Sequence, residues 1–250
     1  MLFSRFFKCV KHKIVAYQQK RDESIFEGTV RYIYDAGKTK RLLIVFSGIG
    51  GDYNFRTTLR KSEDNVLYIK DIWAHGVSYY LFENGTSLPE QLTSSLIDFF
   101  ISSGRYDSIV TIGSSKGGTA ALYYGIKYHC DKIYIGSCQF ELGKYIGRYH
   151  KFRNPHYYHD LMGNIKLDEG IALMNSKIID MLKSNSGICT KIILLYSTEE
   201  HTYQEHIVPL LSTLDACGIS YETLLENFTK HSMVGIPFKK LLRDTFVKNA

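Results

Sequence analysis

Along this chain, short continuous apolar runs alternate with longer stretches in which apolar residues recur every three or four positions. Residues 41–46 carry the run LLIVF, closed by Ser47 and Gly48; so unbroken a run reads as a strand buried on both faces of a sheet. Residues 29–34, joined to it by the turn-rich 35–40, read as another strand, as do 66–69, 77–82, 108–112, 132–135, 191–196 and 220–225. Helical spacing runs through Leu92, Leu96, Phe99 and Phe100, with Ser87 and Glu90 placed as a capping box. It returns over 117–128, 171–182, 203–214 and 238–247. Strands that alternate with helices imply a mostly parallel central sheet covered by helices on both faces, an α/β architecture.

The 250 residues suit one such domain, and no internal repeat or Pro-rich linker divides them. Residues 1–27 read as a basic N-terminal extension and about 140–170 as a cap-like insertion. The five cysteines are scattered, odd in number and without C-x-x-C spacing, which fits neither a disulfide framework nor a zinc site and favours a reducing, cytoplasmic setting. The N-terminal segment has no apolar run long enough for a signal-peptide core or a membrane span. The net charge of +6 is modest, but basic residues gather between Arg5 and Arg21 and between Lys144 and Arg153. Each cluster is either a solvated surface or a contact for something anionic: the inner face of a membrane, a glycan, or a cofactor phosphate. No nucleic-acid-binding motif is present.

The chemistry concentrates in TIGSSKGGTAALYYG, residues 111–125, where an apolar run gives way to a helical pattern. Gly113, Ser115 and Gly117 form G-x-S-x-G in the strand-to-helix setting that a nucleophile elbow requires; the alternative is a small residue in a tight turn. A serine nucleophile needs a base and an orienting acid, which this arrangement supplies in the order Ser, Asp or Glu, His. His231 lies after the last strand, and Glu200, with Glu199 as competitor, lies just beyond the strand 191–196. An oxyanion hole takes one backbone N–H from the residue after the nucleophile, Lys116, and one from the Gly-rich segment after LLIVF, at Gly48 or Ile49. That segment matches neither phosphate-binding glycine pattern. The Lys116 side chain faces either solvent or an anionic substrate. In GRYHKFRNPHYYHD, residues 147–160, Arg148, Lys151 and Arg153 are candidate grips for phosphate or a charged glycan. The irregular spacing of His150, His156, His159 and Asp160 on what reads as a loop argues against a metal site.

Taken together, GSSKGGTAALYYGIKY, IGSCQFELGKYI, YSTEEHTYQEHI and KHSMVGIPF resemble a bacterial family of α/β-hydrolase-fold O-acetyltransferases that modify capsular and surface glycans. The resemblance runs from about Leu42 to the C-terminus. It implies acetyl transfer from acetyl-CoA, through an acetyl-serine, to a sugar hydroxyl, with Ser115 as nucleophile, His231 as base and Glu200 as orienting acid. It departs beside the histidine, where Lys-His-Ser stands in place of Gly-His-Asp. Two other functions use the same residues differently: a carboxylesterase or glycan deacetylase, and a non-catalytic module of a glycan synthesis or export complex.

Overall fold

The computed structural model describes residues 22–50, 52–152 and 155–247, and only the backbone for 149–152 and 155. Eight strands form one sheet: β1 (Ser24–Phe26), β2 (Val30–Asp35), β3 (Arg41–Phe46), β4 (Asn65–Ile69), β5 (Ser108–Ser114), β6 (Lys132–Gly136), β7 (Lys191–Tyr196) and β8 (Tyr221–Leu225). Their order is β1-β2-β4-β3-β5-β6-β7-β8. Strands β3 to β8 are parallel to one another, while β2 runs antiparallel to both β1 and β4. The turn at 35–40 therefore joins strands that are not neighbours. The apolar segment NVLYI of β4 is buried along its whole length and takes the place between them.

The LLIVF run explains the layering. Leu42, Ile44 and Phe46 point into one core and Leu43 and Val45 into the other, as the two-residue period of a strand dictates. The larger core is covered by α2 (Leu88–Ile101), α3 (Lys116–Lys127), α4 (Leu142–Phe152), α5 (Pro155–Met162), α6 (Leu167–Ser184) and α7 (Val208–Cys217). The smaller is closed by α1 (Arg56–Leu59) and α8 (Gly235–Phe246), through Leu59, Phe238, Leu242 and Phe246. Close approach of α3 to the sheet depends on two glycines. A Cβ on Gly113 would lie 2.0 Å from the Gly117 oxygen, and one on Gly117 would lie 2.4 Å from the Phe46 oxygen.

Three expectations from the pattern need correction. Residues 77–82 are not a strand: they are buried but irregular, with Tyr79 and Tyr80 both at positive φ (55° and 60°), because their polar groups are drawn to partners outside any ladder. Ser87 precedes α2 without capping it through its side chain. Glu90 turns instead to the ammonium groups of Lys127 and Lys177 (2.9 and 2.6 Å) and the Tyr123 hydroxyl (2.6 Å). Residues 147–160 lie largely in α4 and α5 rather than on a loop. Among the described residues, no helix is long and apolar enough to cross a membrane, and no group of three or more His, Cys, Asp or Glu side chains is placed to hold a metal ion.

Candidate active site

The segments that carry Ile49, Ser115, Glu200 and His231 follow the C-terminal ends of β3, β5, β7 and β8, where an open α/β sheet presents its ligands. β5 ends at Ser114, and α3 begins at Lys116. Ser115, between them, is held at φ 54°, ψ −127°, a conformation that L-residues adopt only at a cost of order 1–3 kcal/mol. Its N–H donates to the Gly136 oxygen at the end of β6 (2.7 Å). The turn thus pushes the Ser115 hydroxyl up from the sheet.

His231 opens a short 3₁₀ turn, His231–Met233, beyond β8. Its Nε2 lies 2.6 Å from Ser115 Oγ. On the other side of the ring, Nδ1 hydrogen-bonds to Glu200 Oε1, and the second Glu200 oxygen accepts the Ser137 hydroxyl at 2.8 Å. With Nδ1–H directed at a carboxylate, Nε2 of the neutral imidazole is an acceptor facing the serine. Burial pushes the Glu200 carboxyl up, but the hydrogen bond and charge of His231, with the Ser137 hydroxyl, outweigh it and hold the group below its ordinary 4.5. Glu199 is exposed and does not reach the histidine; its N–H donates to Ser197 Oγ (3.2 Å).

Of the two donor positions after β3, Gly48 is already committed: its N–H donates to Asn54 Oδ1 at 2.6 Å. That leaves Ile49, exposed on the same loop. Lys116, as the first residue of α3, has no intrahelical acceptor for its N–H, and the positive end of the helix lies there.

The Lys116 side chain overturns both readings made for it. It faces neither solvent nor a substrate but is fully buried, 2.6 Å from Asp71 Oδ2 and 2.8 Å from the Gly76 oxygen, with the Tyr80 ring centre 5.0 Å away. Burial pulls its ammonium below the ordinary lysine range, and Asp71 counters that pull. Asp71 also accepts from Ser78 Oγ (2.6 Å), and its N–H donates to Ser47 Oγ (3.2 Å). The Tyr80 hydroxyl accepts the Ser47 N–H (2.7 Å) and donates to the Ile69 oxygen (2.9 Å). This closed network joins the first residue of α3 to the loop after β3, so the two N–H donor segments share one buried anchor.

Arg148 is not brought to the serine. It lies exposed on α4 and pairs with Glu205, so its charge is already matched. Arg153 and the side chain of Lys151 lie outside the described residues, as do residues 1–21. Beside Arg148, a cleft of about 460 Å³ is lined by Glu141, Lys144, Tyr145, Glu205 and His206, among others. His206 sits in a π-helical turn, Tyr203–Ile207. It is buried and accepts the Glu141 N–H on Nδ1 (3.3 Å). Burial, helped by the nearby charges of His201 and His231, pushes it down to about 4.

Sequence reasoning missed Asp71, Ser137 and Gln139. Gln139, fully buried, holds its side-chain nitrogen 3.3 Å from both Ser115 Oγ and His231 Nε2. The available signal was position: Ser137 and Gln139 follow directly on β6, and Asp71 follows β4.

No protein-family model matches this chain, and no curated protein matches it in sequence. Solved structures do. The capsule O-acetyltransferase of Neisseria meningitidis serogroup A superposes with a TM-score of 0.74 at 20% identity, over 91% of this chain and 94% of that one. A mutant of that enzyme in complex with CoA superposes at 0.75 and 19%, over 90% and 94%. The Gap123 glycosylation-associated complex of Streptococcus agalactiae gives 0.72 at 16%, over 91% of this chain, which spans 46% of the matched one. The fluorophosphonate-binding serine hydrolase FphF of Staphylococcus aureus gives 0.62 at 11%, over 88% and 92%. These likenesses establish the α/β-hydrolase fold.

Proposed function

We propose that this protein is a serine-dependent O-acetyltransferase that moves acetyl from acetyl-CoA to a hydroxyl of a bacterial capsular or surface glycan. The observation that carries the reading is the continuous relay from Glu200 through His231 to Ser115 Oγ, with 2.6 Å at its reactive end, on a fold shared with an enzyme solved with CoA. In the first step His231 Nε2 takes the Ser115 proton as Oγ attacks the thioester carbonyl. The developing oxyanion is met by the Lys116 and Ile49 amides. The CoA thiolate leaves with the proton from His231, and acetyl stays on Ser115. In the second step His231 Nε2 deprotonates a sugar hydroxyl, the new acetyl ester forms, and the proton returns to Ser115 Oγ.

We read the chain as one unit in which residues 140–170, carrying α4 and α5, act as a cap bordering the acceptor path. The basic segments are proposed contacts with an anionic glycan or the inner face of the membrane, in a cytoplasmic protein without a metal cofactor. The runner-up is a carboxylesterase or deacetylase, favoured by the likeness to FphF; the same three residues would serve it. An assembled relay speaks against a non-catalytic module.

Intact mass after incubation with acetyl-CoA tests the proposal. An acetyl adduct that maps to Ser115 in the wild type, and is absent from Ser115→Ala and His231→Ala, is the expected result. No adduct and no CoA release, even with candidate glycans present, would overturn it in favour of the esterase or the non-catalytic module.

A further inference from the structure

The two reactions that the relay supports differ in the fate of the acetyl-serine: water or a sugar hydroxyl must lose its proton to His231 Nε2. The Gln139 amide stands at that atom. Its nitrogen is 3.3 Å from His231 Nε2 and 3.3 Å from Ser115 Oγ, while its own oxygen is buried and accepts nothing among the described residues. A glutamine kept for structure alone would turn its oxygen to a donor, since buried polar atoms are rarely left unpaired. The backbone of the residue is held: the Gln139 backbone N–H donates to Thr119 Oγ1 (3.0 Å) and the Gln139 backbone carbonyl oxygen accepts from the same hydroxyl (3.0 Å). Thr119 lies one turn beyond Ser115 in α3, so the backbone that carries the Gln139 side chain is pinned to the elbow itself.

Once Ser115 is acetylated, Oγ is an ester oxygen and a poor acceptor, and the serine proton has left with the thiol. The Gln139 N–H is then directed at the lone pair of His231 Nε2, the site a deacylating water must occupy. A glycan hydroxyl displaces this hydrogen bond with binding energy drawn from the rest of the sugar chain, whereas water brings none. We propose that Gln139 sets the partition between transfer and hydrolysis, holding the base against water until an acceptor hydroxyl displaces it. The step it governs is balanced in either case. The Ser115 ester C–O bond breaks, a new C–O bond forms to the acceptor or to water, and the acceptor proton passes through His231 to Ser115 Oγ.

This inference rests on Ser115 and His231 acting as nucleophile and base, and the test keeps it apart from the choice of donor. Protein acetylated with p-nitrophenyl acetate is desalted, and loss of the Ser115 adduct is followed by intact mass in wild type, Gln139→Ala and Gln139→Met. Both variants should shed acetyl about three- to tenfold faster, the factor expected for one neutral hydrogen bond. Should Gln139→Ala fail to fold, Gln139→Met, of similar volume, carries the measurement. An unchanged adduct lifetime in Gln139→Met overturns the proposal, because filling the space would then suffice to exclude water. An adduct from p-nitrophenyl acetate but none from acetyl-CoA defeats the proposed donor and leaves this test intact. No Ser115 adduct from either defeats the nucleophile assignment and this inference with it.

Discussion

Two buried carboxylates, each with a basic partner, flank the elbow, and the two pairs are built on opposite terms. Lys116 and Asp71 are sealed, each side chain 0% exposed, with partners among the neighbouring loops for both carboxylate oxygens and for the ammonium. Glu200 is equally buried, but its partner His231 keeps 23% of its side chain exposed. The sealed pair has nowhere to send a proton and serves to fix backbone. The half-open pair has one end rooted in the core and the other on the Ser115 hydroxyl, which suits the proposed proton transfer, in which charge changes on the imidazole while the carboxylate stays put. Burial with full pairing gives rigidity, and burial with one exposed edge gives a relay.

The sharpest way to break the contrast is Glu200→Gln. It preserves shape but removes the charge that fixes the His231 tautomer, and turnover of p-nitrophenyl acetate should fall by about 10³- to 10⁴-fold with little change in melting temperature. Lys116→Met should do the reverse. Stripping one member from a sealed pair leaves Asp71 uncompensated and should lower stability in urea unfolding by about 3–5 kcal/mol. Adding Asp71→Leu should restore much of that loss, which a catalytic role for the lysine side chain would not predict.

A smaller effect comes from His206, which borders the relay without joining it. Its folded value of about 4 lies below the ordinary 6.5, so the unfolded chain binds the extra proton between those limits. Stability is then fully present above pH 6.5 and falls as the pH drops towards 4, by about 3 kcal/mol. Denaturation followed from pH 7 to 4 should show this acid arm in the wild type and a flatter one in His206→Gln.

Much of this was legible in the chain because period and burial agree. LLIVF had to be a central strand, and GSSKGG after an apolar run had to be a sharp turn into a helix. Glu200 and His231 could be placed because they follow strands whose patterns are clear. The failures share a physical cause. A lysine in the first turn of a helix reads as solvated because charge is seldom buried unpaired, and the partner that permits its burial lies 45 residues earlier. Residues 77–82 have strand-like composition, yet Ser78 and Tyr80 bond to Asp71 and to Ser47 and Ile69, contacts no local pattern encodes. Gln139 carries no motif at all; only the end of β6 marks it.

The backbone of Ser115 has one more implication. At φ 54° the position suits glycine better than any residue with a side chain, so folding and the proposed chemistry make opposite demands on it. Selection for sturdiness alone would erase the hydroxyl. Under the proposed function, serine at this position gives up stability for reactivity at a single residue.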